Sequence, residues 1–331
     1  MLFPLFKYLL IFLSALVLTA CDNSQLEPSR GGKVVLQVAS QYAHLVDIKN
    51  LQKDVAWLAD DARKGREAGT KHEDEVGIWL AKRFKKIGLR PYSKIGLDDF
   101  VDSFEIRFKH QEAKPLFGEN IIGVIEGNQQ ADEYVIVSAH YDHLGVKGNK
   151  IYNGADDNAT GVAALLETAR IISNTNLHPK KSIVFIAFSG EEKNLQGSRH
   201  FCELINEKEL ADKMVNLNFE MFGAIKGQGR YLNIWNTGQT KSIVDAVYQA
   251  SKQIKFPLLV THAAGFKADA RALQTCGVAA TTMDVGGGAH FRDNHPHYHA
   301  ASDNIEHIDL AGLQSATQVG VLAVWLLANE Y

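Results

Sequence analysis

Short β-branched runs alternate along this chain with longer stretches of helical period, and that alternation limits the fold more than any other feature. Strands are predicted at 120–125, 134–139, 182–188, 215–219 and 279–283. Helices are predicted at 48–62, 74–87, 159–172, 240–254 and 310–329. Leu51, Val55 and Leu58 lie four and three apart, as do Val76, Leu80, Phe84 and Ile87. Such spacing puts them on one helix face. Gly88 stops the second helix, and Asn158 is placed to cap the third. Strands that alternate with helices pair in parallel through crossovers, with helices on both sheet faces. The expectation is a three-layer α/β/α sandwich around a mixed, largely parallel sheet.

The N-terminus reads as an address rather than as fold. One charge, Lys7, precedes an unbroken apolar and small-residue run from Tyr8 to Leu18. That run is short of the roughly 20 residues a membrane span needs. Leu18-Thr19-Ala20-Cys21 follows, and it resembles the lipobox of bacterial lipoproteins. The resemblance implies a signal over 1–20, lipidation of Cys21 and a polar tether over 21–45. Asp22 is similar to an inner-membrane retention signal, implying the periplasmic face of the inner membrane of a Gram-negative bacterium. Residues 46–331 then read as a single domain.

Lys and Arg number 35 against 38 Asp and Glu, so no basic excess suggests a nucleic-acid partner. Three cysteines exclude a disulfide-rich scaffold. Cys202 and Cys276 could pair in an oxidising compartment, but two buried free thiols are the favoured expectation.

Chemistry-bearing residues gather at strand ends, where open α/β sheets bind ligands. His140 and Asp142 end one strand two residues apart and so point the same way. An imidazole there would bind a metal while the carboxylate orients its other nitrogen; alone, the pair is a weak signal that reads first as a satisfied surface contact. Whether His143, next along, also contributes is open, and it is taken as structural. Asp156 and Asp157 sit between Gly154 and Gly161 at a helix start. Caps favoured by the helix dipole would explain them, but the small neighbours let a carboxylate turn inward. Glu191 and Glu192 follow a strand, and adjacent carboxylates repel unless a cation or proton intervenes. One would bind metal while the other moves protons. Glu220 closes an apolar strand, where a carboxylate is costly unless paired or metal-bound. Four His occur between Gly288 and Ala300, and any could be a ligand. Mostly oxygen donors with a few imidazoles suit zinc, cobalt or manganese. Five candidate ligands exceed the three of one catalytic zinc, so two metals sharing a carboxylate fit better.

Taken in order, His140-x-Asp142, Gly154-Ala155-Asp156-Asp157-Asn158-Ala159-x-Gly161, Glu191-Glu192 with Gly197-Ser198, Asn218-Phe219-Glu220-Met221, and Tyr298-His299 with Asp303 resemble family 28 of the metallopeptidases. That family comprises co-catalytic zinc aminopeptidases with glutamate carboxypeptidase and glutaminyl cyclase relatives. The likeness runs from about Leu51 to the C-terminus, including Gly65-Arg66. It implies a zinc-exopeptidase-like fold and two Zn²⁺ ions. His140 and Glu220 would bind one zinc, Glu192 and His299 the other, and Asp157 would bridge them. Asp142 would orient His140, and Glu191 would act as general base on a water bridging the metals. A cis peptide is implied at Asp157-Asn158. The implied reaction is removal of N-terminal residues from peptides, with a glutaminyl cyclase or a carboxypeptidase as alternatives, and an inactive binding module behind both. Glu220 stands where the family more often has Asp, and Ala268-Asp269-Ala270 where it has Ser-Asp-His. Implied partners are peptide substrates and a membrane through Cys21, with no nucleic acid and no obligate protein partner.

Overall fold

Nine strands form one sheet in the structure, a computed structural model that describes residues 37, 39–107, 115–175, 178–225, 230–262 and 268–331. The signal, Cys21 and most of the 21–45 tether lie outside the described residues. In chain order the strands are β1 (Arg90–Pro91), β2 (Val101–Ile106), β3 (Leu116–Ile125), β4 (Gln130–His140), β5 (Gly145–Lys147), β6 (Lys150–Tyr152), β7 (Lys181–Phe188), β8 (Met214–Glu220), β9 (Leu232–Asn236), β10 (Leu258–His262) and β11 (Ala279–Val285). The sheet runs β1-β3-β7-β4-β8-β11-β9-β10, with β2 paired to β3, while β5 and β6 form a separate hairpin. Its centre, β7-β4-β8-β11, is parallel. Antiparallel pairs join β3 to β7 on one side and β9 to β11 on the other. The α/β expectation holds, with the antiparallel strands confined to the flanks.

Among the described residues, the main helices covering the sheet are α1 (Ile48–Leu58), α2 (Lys71–Ile87), α3 (Gly161–Asn174), α4 (Gln196–Glu207), α5 (Lys241–Ile254), α6 (Asp269–Thr275) and α7 (Leu310–Asn329). Alternation along β4 explains the layers. Val135, Val137 and Ala139 join the core beneath α1, α2, α3, α5 and α7. Tyr134 and Ile136 face the opposite way, into the core shared with α4 and α6. On α1, Leu51, Val55 and Leu58 are fully buried, each contributing about 1.5–3 kcal/mol. Helix α7 is long and apolar enough to cross a membrane, yet most of it is buried against the other core helices.

Element ends differ from expectation where side chains cap the backbone. Helix α2 starts at Lys71 rather than 74 because the Thr70 hydroxyl accepts from Glu73 N. It stops as expected at Gly88, whose φ of 95° ends the helical path. Helix α1 ends at Leu58, and Asp60 then caps a tighter segment, Asp61–Arg66, that turns Arg66 into the interior. Asn158 does cap α3, accepting from Gly161 N at 3.1 Å.

Cys202 and Cys276 form a disulfide, which corrects the expectation of free thiols. Helix α4 carries Cys202, and Cys276 follows the last turn of α6; packing of these helices brings the two Cα atoms to 5.8 Å. The bond closes a sequence separation of 74, and such loops typically contribute about 2–4 kcal/mol. Replacing both cysteines with Ala should therefore lower the thermal midpoint in a calorimetric scan, with a larger drop than in an oxidised-versus-reduced comparison of a surface cysteine pair.

Candidate metal centre

Parallel register brings three of the sequence clusters to one sheet edge. Ser138 of β4 pairs with Ile186 of β7 and Asn218 of β8, and His140 pairs with Phe188. His140, the Glu191-Glu192 turn and Glu220 therefore leave the carboxyl edge side by side. The connection before α3 adds Asp157 from behind, and a later turn brings in His299. The Asp157–Asn158 peptide is cis, as the family resemblance implied.

The expected ligands converge on Asp157. His140 Nε2 lies 3.3 Å from Asp157 Oδ1 and 3.0 Å from Glu220 Oε1. On the other side, His299 Nε2 lies 3.2 Å from both Asp157 Oδ2 and Glu192 Oε1. His143 Nδ1 joins this second group, 2.9 Å from Glu192 Oε1 and 3.8 Å from Asp157 Oδ2. Each oxygen of the Asp157 carboxylate thus faces a different cluster. His140 and Asp157 are almost completely buried, whereas the His299 side chain is 38% exposed. The centre opens to solvent at His299, whose φ of 57° is in the left-handed region.

Electrostatics mark the same groups. Burial would raise the Asp157 carboxyl, but His140, His143 and His299 hold it well below the ordinary range. Burial and Asp157 also work against the Glu192 charge, and His143 and His299 bring it down to about 2. Burial disfavours the His299 cation, yet Asp157 and Glu192 push it up to about 9. Without cations, histidine protons balance the carboxylates; bound cations would displace those protons. Glu191 differs. Burial lifts its carboxyl well above the usual range, Asp269, Glu220 and Glu192 add to this, and His140 opposes it.

Asp142 bonds His140 through its backbone and keeps its carboxylate within ion-pair distance. Its backbone carbonyl accepts from His140 Nδ1 at 3.1 Å, while Oδ1 lies 3.7 Å away. The carboxylate instead accepts from the backbone N–H groups of Glu191 at 3.1 Å and Glu192 at 3.3 Å. Asp142 therefore holds the acidic turn in place as well as fixing the imidazole. Asp303 plays a similar part, accepting from Asp156 N at 2.9 Å and Asp157 N at 3.1 Å. Asp156 pairs with His295 Nδ1 at 2.6 Å and accepts from Gly223 N at 2.8 Å, away from the metal-facing cluster. His290 is exposed, and His297 meets Ser302.

Several supports escaped sequence reasoning. Arg66 is fully buried and donates to the carbonyls of Tyr141 and Gly154 at 2.7 Å, of Leu58 at 3.2 Å, and of Asn153. It ties the end of β4 to the loop carrying Asp157. Glu73 accepts from Gly69 N at 2.6 Å and from Ser189, fixing the residue that precedes the Gly190–Glu192 turn. Burial pushes Asp269, in the first turn of α6, up to about 7. Gly65-Arg66 and Ala268-Asp269-Ala270, both in segments set beside the family, carried a signal, and Glu73 carried none.

The donor set fits zinc. Among the described residues, His143 Nδ1, Asp157 Oδ2 and Glu192 Oε1 are buried polar atoms without a hydrogen-bond partner, and all three face one another. Buried polar atoms are rarely left so, and imidazole with carboxylate oxygens is a zinc-compatible set.

Fold and site together define an α/β protein built around a carboxylate shared by two groups of metal donors. Residues 120–324 match the model of peptidase family M28, and the chain belongs to that family. It is 32% identical over 210 residues to the aminopeptidase YwaD of Bacillus subtilis, covering 62% of this chain and 44% of the relative. It is 32% identical over 153 residues to a glutamate carboxypeptidase 2 homolog of Caenorhabditis elegans, covering 45% of this chain and 18% of the relative. The matched segments thus span less than half the length of these curated relatives. In structure it is similar to BSAP, a zinc aminopeptidase from Bacillus subtilis, with a TM-score of 0.72 and 20% identity over 86% of this chain and 96% of that one.

Proposed function

We propose that this chain is a two-zinc exopeptidase that removes N-terminal residues from peptides. The observation that carries the reading is the division of Asp157: Oδ1 faces His140, and Oδ2 faces His299. His140, Asp157 and Glu220 would hold one ion, and Asp157, Glu192 and His299 the other. Bound zinc would supply Lewis acidity toward a scissile carbonyl and toward water. Glu191 takes the proton of the attacking water and returns it to the leaving amine. Burial raises its carboxyl above the usual range, and cations at the neighbouring ligands would oppose that rise. Asp142 positions Glu191 by holding its backbone N–H. Likeness to the aminopeptidase YwaD supports action on a free N-terminus; likeness to a glutamate carboxypeptidase homolog supports a carboxypeptidase as the second reading.

Export as a lipoprotein anchored through Cys21 is part of the proposal. The Cys202–Cys276 disulfide supports it, since such bonds persist in oxidising compartments.

Purified full-length protein should cleave amino-acid arylamides and not their N-acylated forms. Activity should disappear on dialysis against a chelator and return with zinc. Release of C-terminal residues from N-acylated peptides, with arylamides untouched, would favour the carboxypeptidase instead.

A further inference from the structure

We propose that His143 is a fourth protein ligand on the Glu192–His299 side of Asp157, which makes the two metal positions unequal. The inference rests on the two-zinc reading and extends it to a residue that the sequence pattern left as structural.

His143 is fully buried, and among the described residues neither ring nitrogen has a hydrogen-bond partner. Among those residues Nε2 has no partner, and leaving a buried polar atom so costs about 1–3 kcal/mol, so a packing role alone leaves the choice of histidine unexplained. Its Nδ1 makes an ion-pair contact with Glu192 Oε1 at 2.9 Å, and neither atom has a hydrogen bond of good geometry. The third such atom, Asp157 Oδ2, lies 3.8 Å from the same nitrogen. His299 Nε2 is 3.2 Å from each of these two oxygens. An ion held by Asp157 Oδ2 and Glu192 Oε1 is therefore bordered by two imidazoles, whose rings meet edge-on with centroids 5.9 Å apart.

The chain around His143 is built to keep the ring there. Its backbone N–H donates to Arg66 O at 3.2 Å. Gly154, at φ 57°, lies under the ring; a Cβ there would come within 2.5 Å of His143 Cγ and Cδ2. Only glycine allows both that backbone conformation and that approach.

Coordination number gives the consequence. Asp157, Glu192, His299 and His143 supply four donors, the number that closes a tetrahedral zinc site. His140, Asp157 and Glu220 supply three, which leaves a position open. The His143 side is then the tighter, slowly exchanging position, and the His140 side is the one that exchanges metal.

Zinc titration of metal-free, full-length protein against a chromophoric chelator tests this without measuring activity. The wild type should bind two equivalents of unequal affinity. In His143→Ala the tighter equivalent should weaken at least about tenfold, the loss expected for removing even an outer-sphere support, while the weaker equivalent stays within about threefold. His143→Gln, which keeps the size and polarity of the side chain, guards against a folding defect, with far-UV circular dichroism of the metal-free protein as the check. Two equivalents at wild-type affinity in either folded variant would overturn the role of His143 alone. Fewer than two equivalents in the wild type would overturn the two-zinc reading itself.

Discussion

Glu191→Gln should lower kcat by about 10²- to 10⁴-fold, the range for loss of a general acid–base group, while zinc content stays at the wild-type level. Gln keeps the volume and the backbone bond to Asp142 but can neither accept a proton from water nor return one to an amine. Unlike Glu192, the Glu191 carboxyl is raised well above the usual range, first by burial and then by Asp269, Glu220 and Glu192. Steady-state kinetics on an arylamide, paired with elemental analysis of the same sample, separates loss of the base from loss of metal. Full activity with intact metal would mean another group moves the proton. The conservative exchange at Glu192 should behave differently, because its carboxylate faces His143 and His299: metal content should fall along with activity.

Arg66→Met should destabilise the fold by about 3–5 kcal/mol, the cost of breaking a buried charge network on one side. The guanidinium donates to carbonyls from Leu58, Tyr141, Asn153 and Gly154. Burial lowers its pKa to about 10, and Asp157, Asp303, Asp142 and Glu192 pull the other way. Met fills much of the volume but leaves those carbonyls unpaired and four nearby carboxylates without their buried cation. Chemical denaturation of the metal-free protein should register the whole loss. Adding zinc should recover part of it, since a ligand that binds only the folded chain raises its stability. A midpoint unchanged from wild type would show that water or neighbouring groups replace the guanidinium.

Much of this centre was legible because strand ends are local features. His140, the Glu191–Glu192 pair and Glu220 each close a predictable apolar run, and parallel register aligns those ends. The glycines and alanine around Asp156 and Asp157 marked that pair, and only the family resemblance singled out Asp157. His143 was not. The alternation that joined His140 to Asp142 excludes the third residue of the run, and its direction depends on a loop held by Arg66 and relieved at Gly154. The double role of Asp142 was hidden for a related reason, since a sequence does not tell a side-chain contact from a backbone one. Pairing of Cys202 with Cys276 depends on how α4 packs beside α6, a tertiary fact with no periodic trace. Strands β1, β2, β5, β6, β9 and β10 were likewise unread; all have six residues or fewer, which gives the hydrophobic pattern little length to declare itself.

Anomalous diffraction at the zinc edge, on crystals of the zinc-loaded protein, tests the central claim most directly. The account predicts two peaks flanking the Asp157 carboxylate. One should contact His140, Asp157 and Glu220, and the other Asp157, Glu192 and His299. A single peak, or zinc bound without Asp157, would contradict it.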